Sequence, residues 1–142
     1  MKKSKLESSY ELDFELIGLV CNQKEYKLAW HLNHALEIDL RKMDDIRIEF
    51  ADQSVILISN YLYEEEFLRF ELIQNKLLPG GKHRNPLLIP ELKQFDYFLK
   101  CKDQIGEYAY ENVSGIIKDI SIVEYMMRLN FDNLKSKENL LF

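Results

Sequence analysis

The sequence is poor in the residues that cross-link small domains. It holds only two cysteines, Cys21 and Cys101, which lie far apart along the chain. Two cysteines are too few for a disulfide framework or a four-thiolate zinc site. We therefore expect two reduced thiols and no metal or other cofactor.

Long apolar segments are also missing. No run approaches the roughly 18 apolar residues that cross a membrane. The basic start, residues 1–5, is followed by Leu6, Glu7 and two serines rather than by the apolar core of a signal peptide. These absences predict a cytoplasmic protein that does not contact a membrane.

Basic charge is in deficit. The chain carries 19 Lys and Arg against 24 Asp and Glu, a net charge of −5, whereas nucleic-acid binding requires a basic surface. Only residues 76–104 are basic on balance. The 142 residues, 46% of them apolar, are enough to bury one core, so we expect a single domain over 1–142.

Glycine and proline are scarce, and their positions divide the chain. All three prolines and the pair Gly80 and Gly81 fall within residues 77–90, which predicts one irregular connecting loop. Apolar residues alternate with a period of two, or recur with a helical period, on both sides of it. The predicted elements are a strand over 10–20, a helix over 24–36, a strand over 38–50 broken at 43–45, β-rich stretches over 54–63 and 67–72, a strand over 95–101, a helix over 105–120, a strand over 122–131 and a tail over 134–142.

This order predicts an α+β domain with an antiparallel or mixed sheet. Two strand–helix–strand (βαβ) units flank a hairpin whose tip, Glu64 to Glu66, is acidic. We expect both helices on one face of the sheet. The arrangement resembles ferredoxin-like domains and the small ligand-sensing ACT-type domains.

Residues 89–97 read Ile-Pro-Glu-Leu-Lys-Gln-Phe-Asp-Tyr. This segment resembles the signature of the IPExxxVDY family, with matching residues Ile89, Pro90, Glu91, Asp96 and Tyr97, and with phenylalanine in place of valine. The length of the chain and the position of the motif also resemble that family. The family has no assigned activity, so the resemblance implies no catalytic residue.

The motif itself predicts a structural role. Pro90 suits the first position of a helical turn, and the carboxylate of Glu91 suits the second. Asp96 and Tyr97 are expected on opposite faces of a strand, where they cannot act on one substrate. We expect the motif to fix a loop through side-chain hydrogen bonds; the alternative is that Glu91 or Asp96 contacts a ligand.

The helix over 24–36 is unusual on its outer side. Tyr26, Trp30, Asn33 and His34 fall opposite its apolar arc, so the only tryptophan of the chain points away from the predicted core. An exposed aromatic stripe indicates a contact surface. Its occupant is predicted to be a second copy of the chain, a protein partner, the chain's own tail at 140–142, or a ligand.

The loop over 77–90 supplies the other candidate site. Lys82, His83 and Arg84 follow the two glycines, and a glycine-containing loop can present backbone N–H groups to an anion. Together with Glu91 they form a candidate site for an anionic small molecule or substrate. The alternative is a solvated connection without a ligand.

Catalytic motifs are missing. The sequence contains no GxSxG or GxGxxG motif, and His31 and His34 point in different directions on a helix. Phe95, Tyr97 and Phe98 suggest the aromatic platform of RNA-binding sheets, although the charge is unfavourable. The sequence therefore predicts a non-enzymatic binding or regulatory module that self-associates or docks a protein; an anion-binding protein or enzyme is the alternative, and RNA binding a remote one.

Overall fold

The computed structural model describes residues 14–104, 110–130 and 134–140. Within these residues the protein is α+β, with eight strands and two α-helices. The strands are β1 (Glu15–Val20), β2 (Arg41–Lys42), β3 (Ile46–Glu49), β4 (Val55–Ile58), β5 (Asn60–Glu65), β6 (Leu68–Gln74), β7 (Tyr97–Asp103) and β8 (Tyr125–Leu129). The α-helices are α1 (Glu25–Leu36) and α2 (Tyr110–Lys118), and short 3₁₀ turns span Pro90–Leu92 and Lys137–Leu140.

Six strands form one antiparallel sheet in the order β2-β5-β6-β7-β1-β8. Strands β3 and β4 form a separate antiparallel ribbon. The predicted α+β class and antiparallel sheet are thus confirmed. The strands that flank each helix are not neighbours, because β1 separates β7 from β8, and β7, β6 and β5 separate β1 from β2.

Apolar side chains cover both faces of the sheet. The buried residues of α1 and α2 pack together on one face, as expected, with Ile17, Phe70 and Leu99 of the sheet. On the other face, Leu16 and Phe98 pack against the β3–β4 ribbon, the 77–95 region and the C-terminal segment. The sheet is therefore the middle layer of the described structure.

The expectation that the first strand is half-buried was wrong. Leu16 and Ile17 point to opposite faces, and both are buried. The alternation with acidic residues depended mainly on Glu11 and Asp13, which lie outside the described residues, as does the start of the predicted strand at residue 10. In β1 itself, only Glu15 continues that alternation.

Other boundaries shift for reasons of packing. The 24–36 helix and the hairpin with an acidic tip are confirmed, since β5 pairs with β6 across Glu66 and Phe67. The predicted stretch over 54–63 is divided at the buried Ser59, where the chain passes from the β3–β4 ribbon into the sheet. The predicted 38–50 strand likewise supplies β2 to the sheet and β3 to the ribbon. Residues 105–109 of the second predicted helix lie outside the described residues.

The predicted loop over 77–90 and the described part of the predicted tail over 134–142 both contact the β3–β4 side of the structure. Residues 77–90 are irregular, as predicted, and the backbone of Lys82 pairs with Val55 of β4. In the predicted tail, Leu140 is 0% exposed and belongs to the core on the face of the sheet opposite the helices. The ammonium of Lys100 donates to the carbonyl of Leu140.

A buried ion pair joins the neighbouring strands β6 and β7 on the face of the sheet where Leu140 packs. The Lys100 ammonium lies 3.6 Å from a carboxylate oxygen of Glu71, and both side chains are almost fully buried. Burial raises the pKa of Glu71 and lowers that of Lys100.

Among the described residues, no helix is both long and apolar enough to cross a membrane.

Candidate functional site

The last two residues of the motif, Asp96 and Tyr97, hydrogen-bond to the connection between β1 and α1. A carboxylate oxygen of Asp96 accepts a hydrogen bond from the Cys21 N–H at 2.8 Å. The hydroxyl of Tyr97 donates to the Gln23 carbonyl at 2.6 Å, and burial raises its pKa. The expectation that Asp96 and Tyr97 act on opposite sides was wrong, because Asp96 precedes β7 and strand alternation does not constrain it.

At the beginning of the motif, Glu91 hydrogen-bonds to the C-terminal segment. Pro90 opens a 3₁₀ turn, and the Glu91 carboxylate accepts hydrogen bonds from both the N–H and the hydroxyl of Ser136, each at 2.8 Å. Partial burial opposes ionisation of Glu91, but these hydrogen bonds outweigh it and lower its pKa. Glu91 is therefore occupied by a structural contact.

A residue outside the motif, Asn75, holds these parts together. Its side chain donates to the carbonyls of Leu92 and Phe95 at 3.2 and 3.0 Å and accepts from the Ile89 N–H at 2.8 Å. Its backbone also bonds to Leu88 and Asp96. Sequence reasoning missed Asn75, because a single asparagine at the end of a strand carries no pattern that marks it as buried.

The described contacts of the loop residues and of Glu91 are with different parts of the chain, and the predicted anion site stays a prediction. Lys82 pairs through its backbone with β4, and Arg84 contributes, after hydrogen bonds from Ser54, to lowering the pKa of Asp52 in the β3–β4 turn. His83 is half-buried in the same stretch. Glu91 is instead bonded to Ser136.

A cleft of about 460 Å³ lies where β1 and β6 end and β7 begins. It is lined by residues 21–24, 74–76, 86–87, 93 and 95–97. Three exposed lysines from different segments, Lys24, Lys76 and Lys93, border it, and Asp96 is the carboxylate among its described lining residues. We call this the strand-end cleft.

A second depression, of about 550 Å³, lies along the outer side of α1. It is lined by Gln23, Tyr26, Lys27, Trp30, His31 and Ile122. Tyr26 is 56% and Trp30 55% exposed, as the helical period predicted. We call this the aromatic groove.

The other two residues predicted on this face behave differently. His34 is exposed, and its ring lies against that of Trp30, with centroids 3.8 Å apart. The prediction was wrong for Asn33, whose side chain bonds to both the N–H and the carbonyl of Leu40. Asn33 is half-buried and fixes the turn after α1, because the chain folds back there to reach β2.

The C-terminal segment does not cover the aromatic groove as far as it is described. Leu140 packs on the face of the sheet opposite the helices. Residues 141 and 142 lie outside the described residues, so the predicted contact through them is not described either.

The two thiols are buried and far from each other. Cys101 pairs with Glu15 in the sheet, whereas Cys21 lies beyond the other end of β1, about 20 Å away at 3.3 Å per residue. That distance prevents a disulfide between them. Burial raises the pKa of both thiols, that of Cys101 to about 12, so neither is an activated nucleophile.

The remaining chemical candidates find little support in this geometry. Phe95, Tyr97 and Phe98 are all buried, and the last two point to opposite faces of the sheet, so the predicted RNA platform is wrong. In the described part of the chain, no group of three or more His, Cys, Asp or Glu side chains is placed to hold a metal ion.

Comparison with protein-family models finds no match to this chain, and no curated protein matches it. The resemblance of residues 89–97 to the IPExxxVDY family therefore stays a prediction.

Proposed function

We propose that this protein is a non-enzymatic binding module, and that its aromatic groove docks an acidic segment of a protein partner carrying one large apolar side chain. The observation that carries this proposal is that Tyr26 and Trp30 are both more than half exposed and line one groove. Large apolar groups grouped in a groove indicate a contact surface more strongly than single exposed ones do.

The apolar part of the partner follows from the size of the exposed rings. Covering the exposed part of Trp30 removes on the order of 100 Å² of mostly apolar surface from water, worth about 2.5 kcal/mol. The groove has room for one large side chain beside both rings. A single aromatic or aliphatic anchor is therefore enough to give measurable binding.

The acidic part follows from the charges around the groove. Its described lining includes Lys27 and His31 and no carboxylate, and Lys24 lies one helical turn away. In a chain of net charge −5, this surface differs in sign from the whole. Complementary charge mainly speeds association and selects the partner.

A second copy of this chain carries the same chemistry. The β5–β6 tip presents Glu65 and Glu66 next to Phe67, which is 48% exposed. Homotypic association through this tip is therefore one source of the docked segment, and would be head-to-tail rather than two-fold symmetric.

The sheet supports a finer proposal about the fold. Strands β8-β1-β7-β6 with the two helices follow the β-α-β-β-α-β chain order, with β1 and β7 central, as in ferredoxin-like domains. We propose that β2, β5 and the β3–β4 ribbon are insertions into such a unit, which would resemble ACT-type domains. The free, widely separated thiols support a cytoplasmic location.

The motif fits the same view of the protein. The side chains of Glu91, Asp96 and Tyr97 all hydrogen-bond to segments that are distant in sequence and adjacent in the fold. We propose that the IPExxxVDY-like motif is a structural lock, and that this protein is similar to that family in using it so.

Trp30 is the only tryptophan, so its fluorescence reports docking directly. The probe is a capped Glu-Glu-Glu-Phe peptide, which copies the hairpin tip, titrated at low salt; Lys-Lys-Lys-Phe is the matched peptide control. We expect a saturable blue shift with the acidic peptide alone. The shift should weaken in Lys27→Glu, which keeps the reporter, and persist in Lys118→Glu, which alters an exposed lysine of α2 outside the groove.

The result that overturns the proposal is an emission spectrum that neither peptide changes, or a shift that Lys27→Glu leaves intact. Sedimentation over a range of protein concentrations tests the source of the segment. Association lost in both Trp30→Ala and Phe67→Ala would support docking and identify a second copy as the source.

A further inference from the structure

The geometry points to the strand-end cleft as a binding site for a soluble organic polyanion of metabolite size, carrying two or more phosphate or carboxylate groups. This site is distinct from the aromatic groove, although Gln23 lines both, and it does not rest on the docking proposal. Its volume of about 460 Å³ falls in the range of small-molecule sites.

Three cations converge on the cleft from separate segments. Lys24 begins the first turn of α1, Lys76 follows β6, and Lys93 follows the 3₁₀ turn of the motif. None of them takes part in the ion pairs found within the described residues. Unpaired cations gathered around one concavity in an acidic protein create a local positive potential that favours an anion.

The start of α1 adds to this potential. Lys24 is the N-cap residue, and no side chain caps the helix. The carboxylate of Glu25 lies in this first turn, where it accepts a hydrogen bond from Ser59 and pairs with the Lys42 ammonium at 3.9 Å. The first backbone N–H groups of α1 are thus not taken by a side-chain cap, and the N-cap residue lines the cleft.

The single carboxylate of the described lining gives the site a direction. The Asp96 carboxylate accepts a hydrogen bond from the Cys21 N–H, which holds it next to the C-terminal end of β1. Its charge disfavours an anion next to it, so we expect the anionic groups of a ligand nearer to the lysines. The amide side chains of Gln23 and Gln74 also line the cleft and can bind hydroxyl or carbonyl groups of a ligand.

The rigid surroundings favour a preformed site. Asn75 and Asp96 hold the segments that border the cleft through buried or half-buried hydrogen bonds. Segments fixed in this way lose little conformational freedom when a ligand binds, which preserves affinity.

The test is calorimetry at low salt with inorganic pyrophosphate and with citrate as probes. We expect one saturable site, weakened about fivefold by Lys76→Gln or Lys93→Gln and at least tenfold by both, because an exposed cation contributes up to about 1 kcal/mol. All these lysines are exposed, so the variants should keep their circular dichroism spectra. Lys118→Gln and Lys82→Gln are the matched controls, and both should bind like the unmodified protein.

Backbone amide NMR shifts give a second readout, with the largest changes expected at residues 22–24, 74–76 and 93–97. No binding of either probe, or binding that the double variant leaves unchanged, overturns the proposal. Binding lost in Lys82→Gln also overturns it, because it would assign the anion to the 82–84 loop. Sedimentation with phosphatidylserine vesicles without binding of the soluble probes would assign the cations to a lipid headgroup and equally overturn it.

Discussion

Replacing Asn75 with alanine should cost this protein about 3 kcal/mol of unfolding free energy. The substitution removes three side-chain hydrogen bonds, each worth about 1 kcal/mol net. It leaves the N–H of Ile89 and the carbonyl of Phe95 buried without a partner, since both residues are buried. Three kcal/mol is a large share of the roughly 5–15 kcal/mol that stabilise a typical domain.

Urea denaturation followed by circular dichroism measures this loss, and a fall in melting temperature of about 10 °C is the thermal equivalent. Amide hydrogen exchange at Ile89 should accelerate, because Asn75 alone accepts that N–H. Asn22→Ala, at an exposed asparagine, is the matched control and should change stability by less than about 0.5 kcal/mol. A cost for Asn75→Ala below about 1 kcal/mol with unchanged protection at Ile89 would refute the proposed lock.

Three further outcomes follow from burial. Trp30→Ala should change the unfolding free energy by less than about 1 kcal/mol in urea titration, because the ring is more than half exposed; a large loss would place Trp30 in the core. Cys101 should resist iodoacetamide at pH 8 until the protein unfolds, because burial raises its pKa to about 12; rapid labelling of the native protein would contradict this. Lys100→Met should destabilise the protein by about 3 kcal/mol, because it removes the buried cation of Glu71 and leaves only the partly exposed Arg69 beside that carboxylate, whereas adding Glu71→Leu should restore most of that stability; equal losses in the single and double variants would argue against the pair.

Much of the secondary structure could be predicted because its causes are local. The apolar positions of α1 recur with the helical period over residues that lack glycine and proline, and the helix lies within one residue of its predicted start. The exposure of Tyr26 and Trp30 follows from the same period. Both properties depend on residues within a few turns of one another.

The two-sided sheet could not be predicted in the same way. Whether β1 is buried on one face or two depends on the β3–β4 ribbon and the C-terminal segment, which lie far away in sequence. The division of the predicted 54–63 stretch at Ser59 has a similar origin. Its first part pairs within the ribbon as β4, and its second part pairs within the sheet as β5. Periodicity shows which residues avoid water without showing what covers them.

The strand-end cleft could not be predicted from the sequence for a related reason. Sequence reasoning grouped Lys82, His83 and Arg84 because they are adjacent, but the cleft collects lysines from segments separated by tens of residues. Its position depends on where β1, β6 and β7 end together, which is a consequence of strand register. Part of the motif lines the cleft, including Asp96 and Tyr97, which also hydrogen-bond to the connection between β1 and α1.

The strand-end cleft and the aromatic groove are not electrostatically independent. Gln23 lines both, and Lys24 and Lys27 are three residues apart, about 4.5 Å along the axis of α1. That separation is shorter than the Debye length of about 8 Å at physiological salt. A polyanion in the cleft would therefore lower the positive potential that attracts an acidic segment to the groove. Because coupling between two sites is reciprocal, a docked acidic segment would weaken polyanion binding by the same factor. The two proposals together thus describe a module in which a small anion opposes protein docking, with the first turn of α1 as the shared element.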